Sequence, residues 1–319
     1  MRAPSDRIRL EPSGLELSRM GFGAAALGGE YGELSEAEGQ RAVHAALDAG
    51  LCWFDTAPYY GRTLSEERLG LALKGYRGAV CLATKCARIG PREFDFTAQG
   101  VRAQLEGSLR RLRTTEVDLY QVHDVEFGRV DQILNETLPE LEALRQEGKV
   151  RAIGLTGLHP HLLHELATRT SVRLDAVLTY CHHDLLDWSL RDGWAEAFSK
   201  LGLPLLSASP THMGILTSRG PQAWHPAPAE VLSAGRRMAA ACRAHDLDLA
   251  TVALHTAFSE PGPAAILIGA RTPAEVRTSL EATDLCLPPG LLNELVAAAD
   301  PVRGMTWHEG LPENAPPQT

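Results

Sequence analysis

Leu51-Cys52-Trp53-Phe54-Asp55-Thr56-Ala57-Pro58-Tyr59-Tyr60-Gly61 runs apolar for four residues and then stops on an acid. The pattern returns twice. Val80-Cys81-Leu82-Ala83-Thr84-Lys85 stops on a lysine, and Val117-Asp118-Leu119-Tyr120-Gln121-Val122-His123 stops on a histidine. Short apolar runs of this kind read as strands buried in a sheet. Polar residues closing successive buried strands place an active site on one face of a barrel.

Outward from this stretch, strand and helix signals alternate along the whole chain. Strands are expected at 17–23, 51–54, 79–83, 117–122, 150–155, 174–179, 203–207 and 264–268. Helices are expected at 35–50, 65–74, 97–113, 131–146, 162–167, around 194–201, at 229–244 and from 273 to 280, from apolar stripes at helical spacing. Ser65, followed by Glu66 and Glu67, reads as a capped helix start. Eight strand–helix units imply an α/β fold, a closed (β/α)8 TIM barrel. Ile8-Arg9-Leu10 and Leu15-Glu16-Leu17, split by Pro12-Ser13-Gly14, read as an N-terminal β-hairpin ahead of it. No low-complexity linker interrupts the rhythm, so residues 1–319 are expected to form one barrel domain. The Gly-, Pro- and Trp-containing segment 211–228 reads as a long loop that shapes a site. The residues from Ala315 onward are expected to fray.

Composition bounds the function. At 319 residues with 44% hydrophobic and 22% charged residues, the chain has the make-up of a soluble globular protein. A net charge of -9 argues against a nucleic-acid binder, which would carry a basic face. No apolar run reaches the ~20 residues of a membrane span, and the first residues lack the apolar core of a signal peptide. A cytoplasmic location is therefore expected, with all six cysteines reduced.

Asp55, Tyr60, Lys85 and His123 suit one chemistry. A lysine cation beside a phenol favours the phenolate and should bring its pKa down toward neutrality. An aspartate holds the lysine in place, and a histidine can orient the reacting oxygen. The set holds no nucleophile and no metal cage. It fits proton transfer at a carbonyl or alcohol, coupled to hydride transfer by a cofactor. The histidines of His182-His183-Asp184 and His159-x-His161-x-x-His164 do not converge on one face, so no metal site is expected.

The motifs Gly21-Phe22-Gly23, Phe54-Asp55-Thr56-Ala57-Pro58-Tyr59-Tyr60-Gly61, Ala83-Thr84-Lys85, Asp118 to His123 and Gly148 to Gly154 follow one another through the first half of the chain. Through them the chain resembles the aldo-keto reductases. The resemblance implies that Tyr60 is the general acid/base, aided by Asp55 and Lys85, and that His123 orients the substrate. Within the family the chain resembles the branch that oxidises the C1 hemiacetal of sugars such as L-galactose, L-fucose or D-arabinose to a lactone. Oxidation of pyridoxal, or of general aldehydes and ketones, is the alternative on the same scaffold. A non-enzymatic nucleotide-binding barrel is a third.

The resemblance also implies the binding residues. Gly23, Thr156, Tyr180, Ser209, Pro210, Met213 and Gly214 would line the cofactor. The chain departs from many relatives in having Ala208 where they carry the nicotinamide-stacking aromatic and Tyr180 where they carry a glutamine, which makes Tyr180 the candidate aromatic face. Gly269, Arg271, Glu275 and Ser279, after the eighth strand, would hold the adenosine ribose. NADP-dependent relatives carry cations where Gly269 and Glu275 stand. Glu275 would repel a 2′-phosphate, so NAD is expected, while Arg271 could grip a phosphate and leaves NADP open. Asp124, Glu126 and Trp307 are candidate substrate contacts. The expected partner is a small-molecule aldose or aldehyde, with no nucleic acid and no membrane. Nothing in the residues selects a monomer or a homo-oligomer.

Overall fold

A computed structural model describes residues 3–316. The hairpin β1 (Arg7–Leu10) and β2 (Leu15–Ser18) pairs antiparallel, ahead of the first barrel strand β3 (Met20–Gly23). Next come β4 (Trp53–Asp55), β5 (Cys81–Cys86), a short hairpin β6 (Arg88–Gly90) and β7 (Glu93–Phe94), and β8 (Val117–Val122). The strands β9 (Val150–Gly157), β10 (Ala176–Tyr180), β11 (Leu205–Ala208) and β12 (Ala265–Gly269) complete the set. The eight strands β3, β4, β5, β8, β9, β10, β11 and β12 close a barrel in that order, every neighbouring pair parallel. The (β/α)8 TIM barrel and the N-terminal hairpin read from the sequence are both present.

The hairpin plugs the barrel floor. Leu10, Leu15 and Leu17 are buried against Trp53, Leu119, Leu178, Leu206 and Leu267 of the barrel interior. Each such leucine contributes about 1.5–3 kcal/mol by leaving water. A second core lies between the strands and their helices: α1 (Glu36–Asp48), α2 (Leu64–Ala72), α3 (Ala98–Leu112), α4 (Val130–Gln132), α5 (Leu138–Gln146), α6 (Pro160–Arg169) and α7 (Ala195–Lys200). The caps explain several starts: Ser35 and Thr97 accept from the backbone N–H groups of Glu38 and Gly100.

Four local expectations are corrected. The expected strand 17–23 is two strands, because Leu17 and Ser18 pair with β1 and the barrel strand starts at Met20. Ser65 does not cap α2: it lies inside the helix, and its hydroxyl donates to the Ala24 carbonyl at 2.7 Å. The helix expected at 131–146 contains a π-type segment, Ile133–Thr137. Pro139 lacks the N–H that would bond the carbonyl four residues back, and the spiral loosens ahead of it. The helix after β11 that belongs to the barrel repeat is α9 (Leu249–Ser259), not the expected 229–244. That segment is α8 (Ala229–Ala244), which packs on α11 (Leu291–Ala299) as an added pair outside the repeat. The last barrel helix, α10 (Pro273–Glu281), stands where expected.

All six cysteines are free, five of them buried. No helix among the described residues is long and apolar enough to cross a membrane. Ala315 donates to the Pro312 carbonyl at 3.2 Å, and residues 317–319 lie outside those described.

Candidate active site

The barrel brings the strand-end residues together at the C-terminal face. Asp55 closes β4, Lys85 lies near the end of β5, and His123 follows β8. Tyr60 sits in the turn between β4 and α2, where Gly61 has φ +60° and its Cα faces the Gly28 carbonyl. A Cβ on Gly61 would lie 2.3 Å from that oxygen. Gly61→Ala should therefore cost about 1–3 kcal/mol through backbone strain and lower turnover by moving Tyr60. Urea unfolding read beside kcat checks both, and an unchanged midpoint would contradict the close approach.

Lys85 Nζ is the hub. It donates to the Asp55 carboxylate, to the Thr56 carbonyl at 2.8 Å and to the Tyr60 hydroxyl at 3.3 Å. Gln121 Nε2 donates to the other Asp55 oxygen at 3.0 Å. The His123 ring stands edge-on to Tyr60, 5.6 Å between centroids and 87° between planes. Tyr60, not the neighbouring Tyr59, is thus the tyrosine joined to the lysine.

Burial sets the protonation of this group. The Tyr60 hydroxyl is pushed well above the usual phenol range, first by burial and then by the charges of Asp55, Asp124 and Glu30. The expected lowering by Lys85 is corrected: the lysine charge is spent on Asp55, and Tyr60 rests as a phenol. Burial also pushes Asp55 up, against the pull of Lys85. His123 is brought down to about 3 by burial, so its ring is neutral near neutral pH. Its Nδ1 is buried without a hydrogen-bond partner among the described residues.

The remaining expected residues divide. Asp124 is buried beside His123 and bound to Arg88. Tyr180 ends β10 in register with Ala208, and the charges of Asp124, Glu126 and Glu309 help burial push its hydroxyl up. Gly23 pairs with Gly269 across β3 and β12, and Thr156 is buried on β9. Ser209 and Met213 take left-handed backbone, with Pro210 between them and Gly214 at φ +100°. These residues line the turn leading into the loop 211–228.

Two of the candidate substrate contacts also make bonds and packing contacts within the protein. Glu126 has no exposed surface; its Oε1 accepts from the Leu158 N–H at 2.9 Å. Its carbonyl takes the N–H of Leu311 and the amide of Asn314, so its backbone anchors the C-terminal tail, while its Oε2 is buried with no partner among the described residues. Trp307 is 7% exposed and packs edge-on against His212 and His225, which braces the long loop.

After β12, Arg271 and Glu275 meet each other. Arg271 Nη2 lies 3.2 Å from Glu275 Oε1, and Glu275 Oε2 accepts the Arg271 N–H at 2.7 Å. Arg271 Nη1 also donates to the Tyr31 carbonyl, and Ser279 Oγ donates to the Glu275 carbonyl. The clustered histidines use ring nitrogens on protein partners: His182 on Asp187 and the Leu158 carbonyl, His183 on the Ala257 carbonyl, His159 on His308.

Sequence reading missed Gln121, Arg88 and Glu30. Gln121 had a signal, since residues two apart on a strand share a face and His123 was already chosen. Glu30, whose Oε1 accepts the Gly61 N–H at 2.8 Å, had none.

Residues 19–300 match the aldo/keto reductase family. The chain is 38% identical over 310 residues to an L-galactose dehydrogenase of Arabidopsis thaliana, covering 95% of this chain and 97% of that protein. It is 30% identical to a D-threo-aldose 1-dehydrogenase of a Pseudomonas species, covering 90% and 95%. A holo-form aldo-keto reductase structure from Bacillus halodurans superimposes with a TM-score of 0.73 at 25% identity, covering 92% and 96%.

Proposed function

The chain belongs to the aldo/keto reductase family and is an oxidoreductase, and from that premise we propose that it oxidises the C1 hemiacetal of an aldose to its lactone with NAD. The observation that carries the reading is the joined chain Asp55–Lys85–Tyr60 with neutral His123 edge-on to the phenol. The names of the relatives at 38% and 30% identity direct it to aldoses.

A nicotinamide dinucleotide, when bound, supplies the hydride acceptor. The chemistry of the residues at the barrel mouth fits such a group: left-handed turns at Ser209 and Met213, the open glycine at Gly269, and the capped start of α10. Gly23, Thr156, Tyr180, Pro210, Gly214, Arg271, Glu275 and Ser279 would complete its cradle. Tyr60 first loses its own phenol proton to solvent; as the phenolate beside the Lys85 ammonium it then takes the proton of the C1 hydroxyl and returns to the phenol. His123, uncharged, donates a hydrogen bond to the same oxygen and orients it. Asp55 and Gln121 hold the lysine in line. Both cations nearest the phenol are already paired, Lys85 with Asp55 and Arg88 with Asp124. That surrounding suits a neutral polyol better than a sugar acid or sugar phosphate.

The Arg271–Glu275 pair supports NAD. A guanidinium held by a carboxylate has little charge to offer a 2′-phosphate, while the carboxylate can accept from a 2′-hydroxyl. Glu275→Arg is expected to improve kcat/KM with NADP by about tenfold or more, the worth of one hydrogen bond to a charged group. Kinetics with both cofactors check it, and an unchanged NADP preference would refute this role.

The test of the whole reading is an absorbance assay with NAD and NADP against L-galactose, L-fucose, D-arabinose and pyridoxal. Reduction with a sugar is the expected outcome. Reduction with pyridoxal alone would move the substrate class, and none with any sugar would sink the proposal.

A further inference from the structure

Arg88, at the start of β6, lies three residues beyond Lys85 and takes no part in the proton transfer assigned to Tyr60. Its guanidinium is boxed by aromatic rings: 3.9 Å from the Tyr59 centroid, 5.3 Å from Phe127 and 5.5 Å from Phe94. One edge donates from Nη1 to Asp124 Oδ2 at 2.5 Å. Nε is buried with no partner among the described residues, so stacking and the one carboxylate hold the group.

The same Asp124 oxygen faces His123. Oδ2 lies 3.6 Å from His123 Nε2, too long for a hydrogen bond. One carboxylate oxygen therefore stands between a cation and an imidazole, and the cation has it. Asp124 is held there by its own backbone, a left-handed φ of 51° at the cap of the turn after β8. The Tyr59 ring packs against both sides of the arrangement, under Arg88 and edge-on to His123 at 6.1 Å.

We propose that Arg88 is a positioning residue: it holds the Asp124 carboxylate off His123, so that His123 meets the substrate oxygen as an uncharged hydrogen-bond donor. Without Arg88, a small shift of Asp124 would bring its carboxylate into hydrogen-bond range of His123 Nε2. A carboxylate so placed stabilises the imidazolium. His123 would then compete with Tyr60 as the acid/base group. The charges that act on His123 agree in sign: Asp124 favours its protonation, and Lys85 and Arg88 oppose it. Glu126 and Glu309, from the turn after β8 and the C-terminal tail, lie on the Asp124 side, where burial pushes both carboxyls up, Glu126 well above the usual carboxylate range; burial also raises Glu30, which faces Arg88 and Tyr60. Arg88 is the cation in contact with Asp124 against this acidic surround.

The role rests on the oxidoreductase reading, but its main readout does not. Imidazole nitrogen NMR of His123 is followed against pH in the protein without sugar. In the wild type the ring should stay neutral through the neutral and mildly acidic range. In Arg88→Gln its midpoint should rise by about one pH unit or more, and a new acid limb should enter the kcat/KM profile. Arg88→Lys should return both toward wild type by restoring the cation. Adding Asp124→Asn to Arg88→Gln should also return the midpoint, because the charge released is then gone.

A folded Arg88→Gln protein whose His123 midpoint does not move overturns the proposal. So does a shift that persists in the double variant. If Arg88→Gln fails to fold, the wild-type spectrum still decides, since a charged His123 at neutral pH contradicts the role outright. Failure of the sugar assay with the NMR shift intact would remove the sugar reading alone.

Discussion

Tyr60→Phe is expected to lower turnover by about 10²–10⁴-fold, the usual worth of a positioned acid/base group, while cofactor affinity is kept. The ring packs edge-on to His123 with or without its oxygen, so the site should hold its shape. What is lost is the hydroxyl 3.3 Å from Lys85 Nζ. Tyr59→Phe serves as the control, because it keeps the phenol that is joined to the lysine. The pH profile adds a second reading. Tyr60 rests as a phenol because burial raises its pKa. It must release that proton before it can take one from a sugar, so oxidation by the wild type should quicken as pH rises. In Tyr60→Phe that dependence should flatten. Steady-state kinetics with a fluorescence titration of the cofactor separate the two effects, and retained turnover would mean the proton goes elsewhere.

Lys85→Met should damage both stability and activity. Lys85 and Asp55 are among the most deeply buried charges in the protein, 1% and 2% exposed. Removing the lysine leaves Asp55 with Gln121 as its remaining side-chain partner. Breaking a buried pair from one side costs about 3–5 kcal/mol. The loss should be greater at alkaline than at mildly acidic pH. Burial already raises the Asp55 pKa, and with the lysine gone the carboxyl can escape its penalty only by taking a proton. Adding Asp55→Asn to Lys85→Met should recover most of the stability and none of the turnover. Chemical denaturation at two pH values measures the first, and kinetics the second. A double variant that regains turnover would show the pair to be a structural device only.

The eight barrel strands were legible because parallel strands buried on both faces are short, continuous apolar runs. Their ends were less so. Leu17 and Met20 are both apolar and only Ser18 and Arg19 separate them, so the first barrel strand reads as starting at Leu17, inside the second strand of the hairpin. The helix α9 escaped notice because Leu249, Val252, Ala253, Leu254 and Ala257 leave no polar stripe to set its period; Asp248, which caps it, was the available sign. Asp55, Lys85 and His123 stood out because polar groups are rare at the ends of buried strands, and Tyr60 because it follows Asp55 within one motif.

What lies opposite each residue was not legible. Asp55 and Gln121 are 66 residues apart, and only barrel closure joins them. Glu126 looks like a solvated loop acid until the C-terminal tail covers it, with Asn314, 188 residues later, bound to its carbonyl. The sign of the Tyr60 shift turned on burial, which a single sequence does not measure. The strand ends speak for the reaction type and leave the choice of substrate to their surroundings.

The most direct measurement is oxidation of an aldose deuterated at C1 by the purified protein with NAD, followed by absorbance and by product analysis. Hydride transfer from C1 with Tyr60 as the base predicts a lactone, slower turnover than with the protium sugar, and deuterium in the reduced cofactor. Sugar recovered unchanged, with its label at C1 and no cofactor reduced by any aldose, would contradict it.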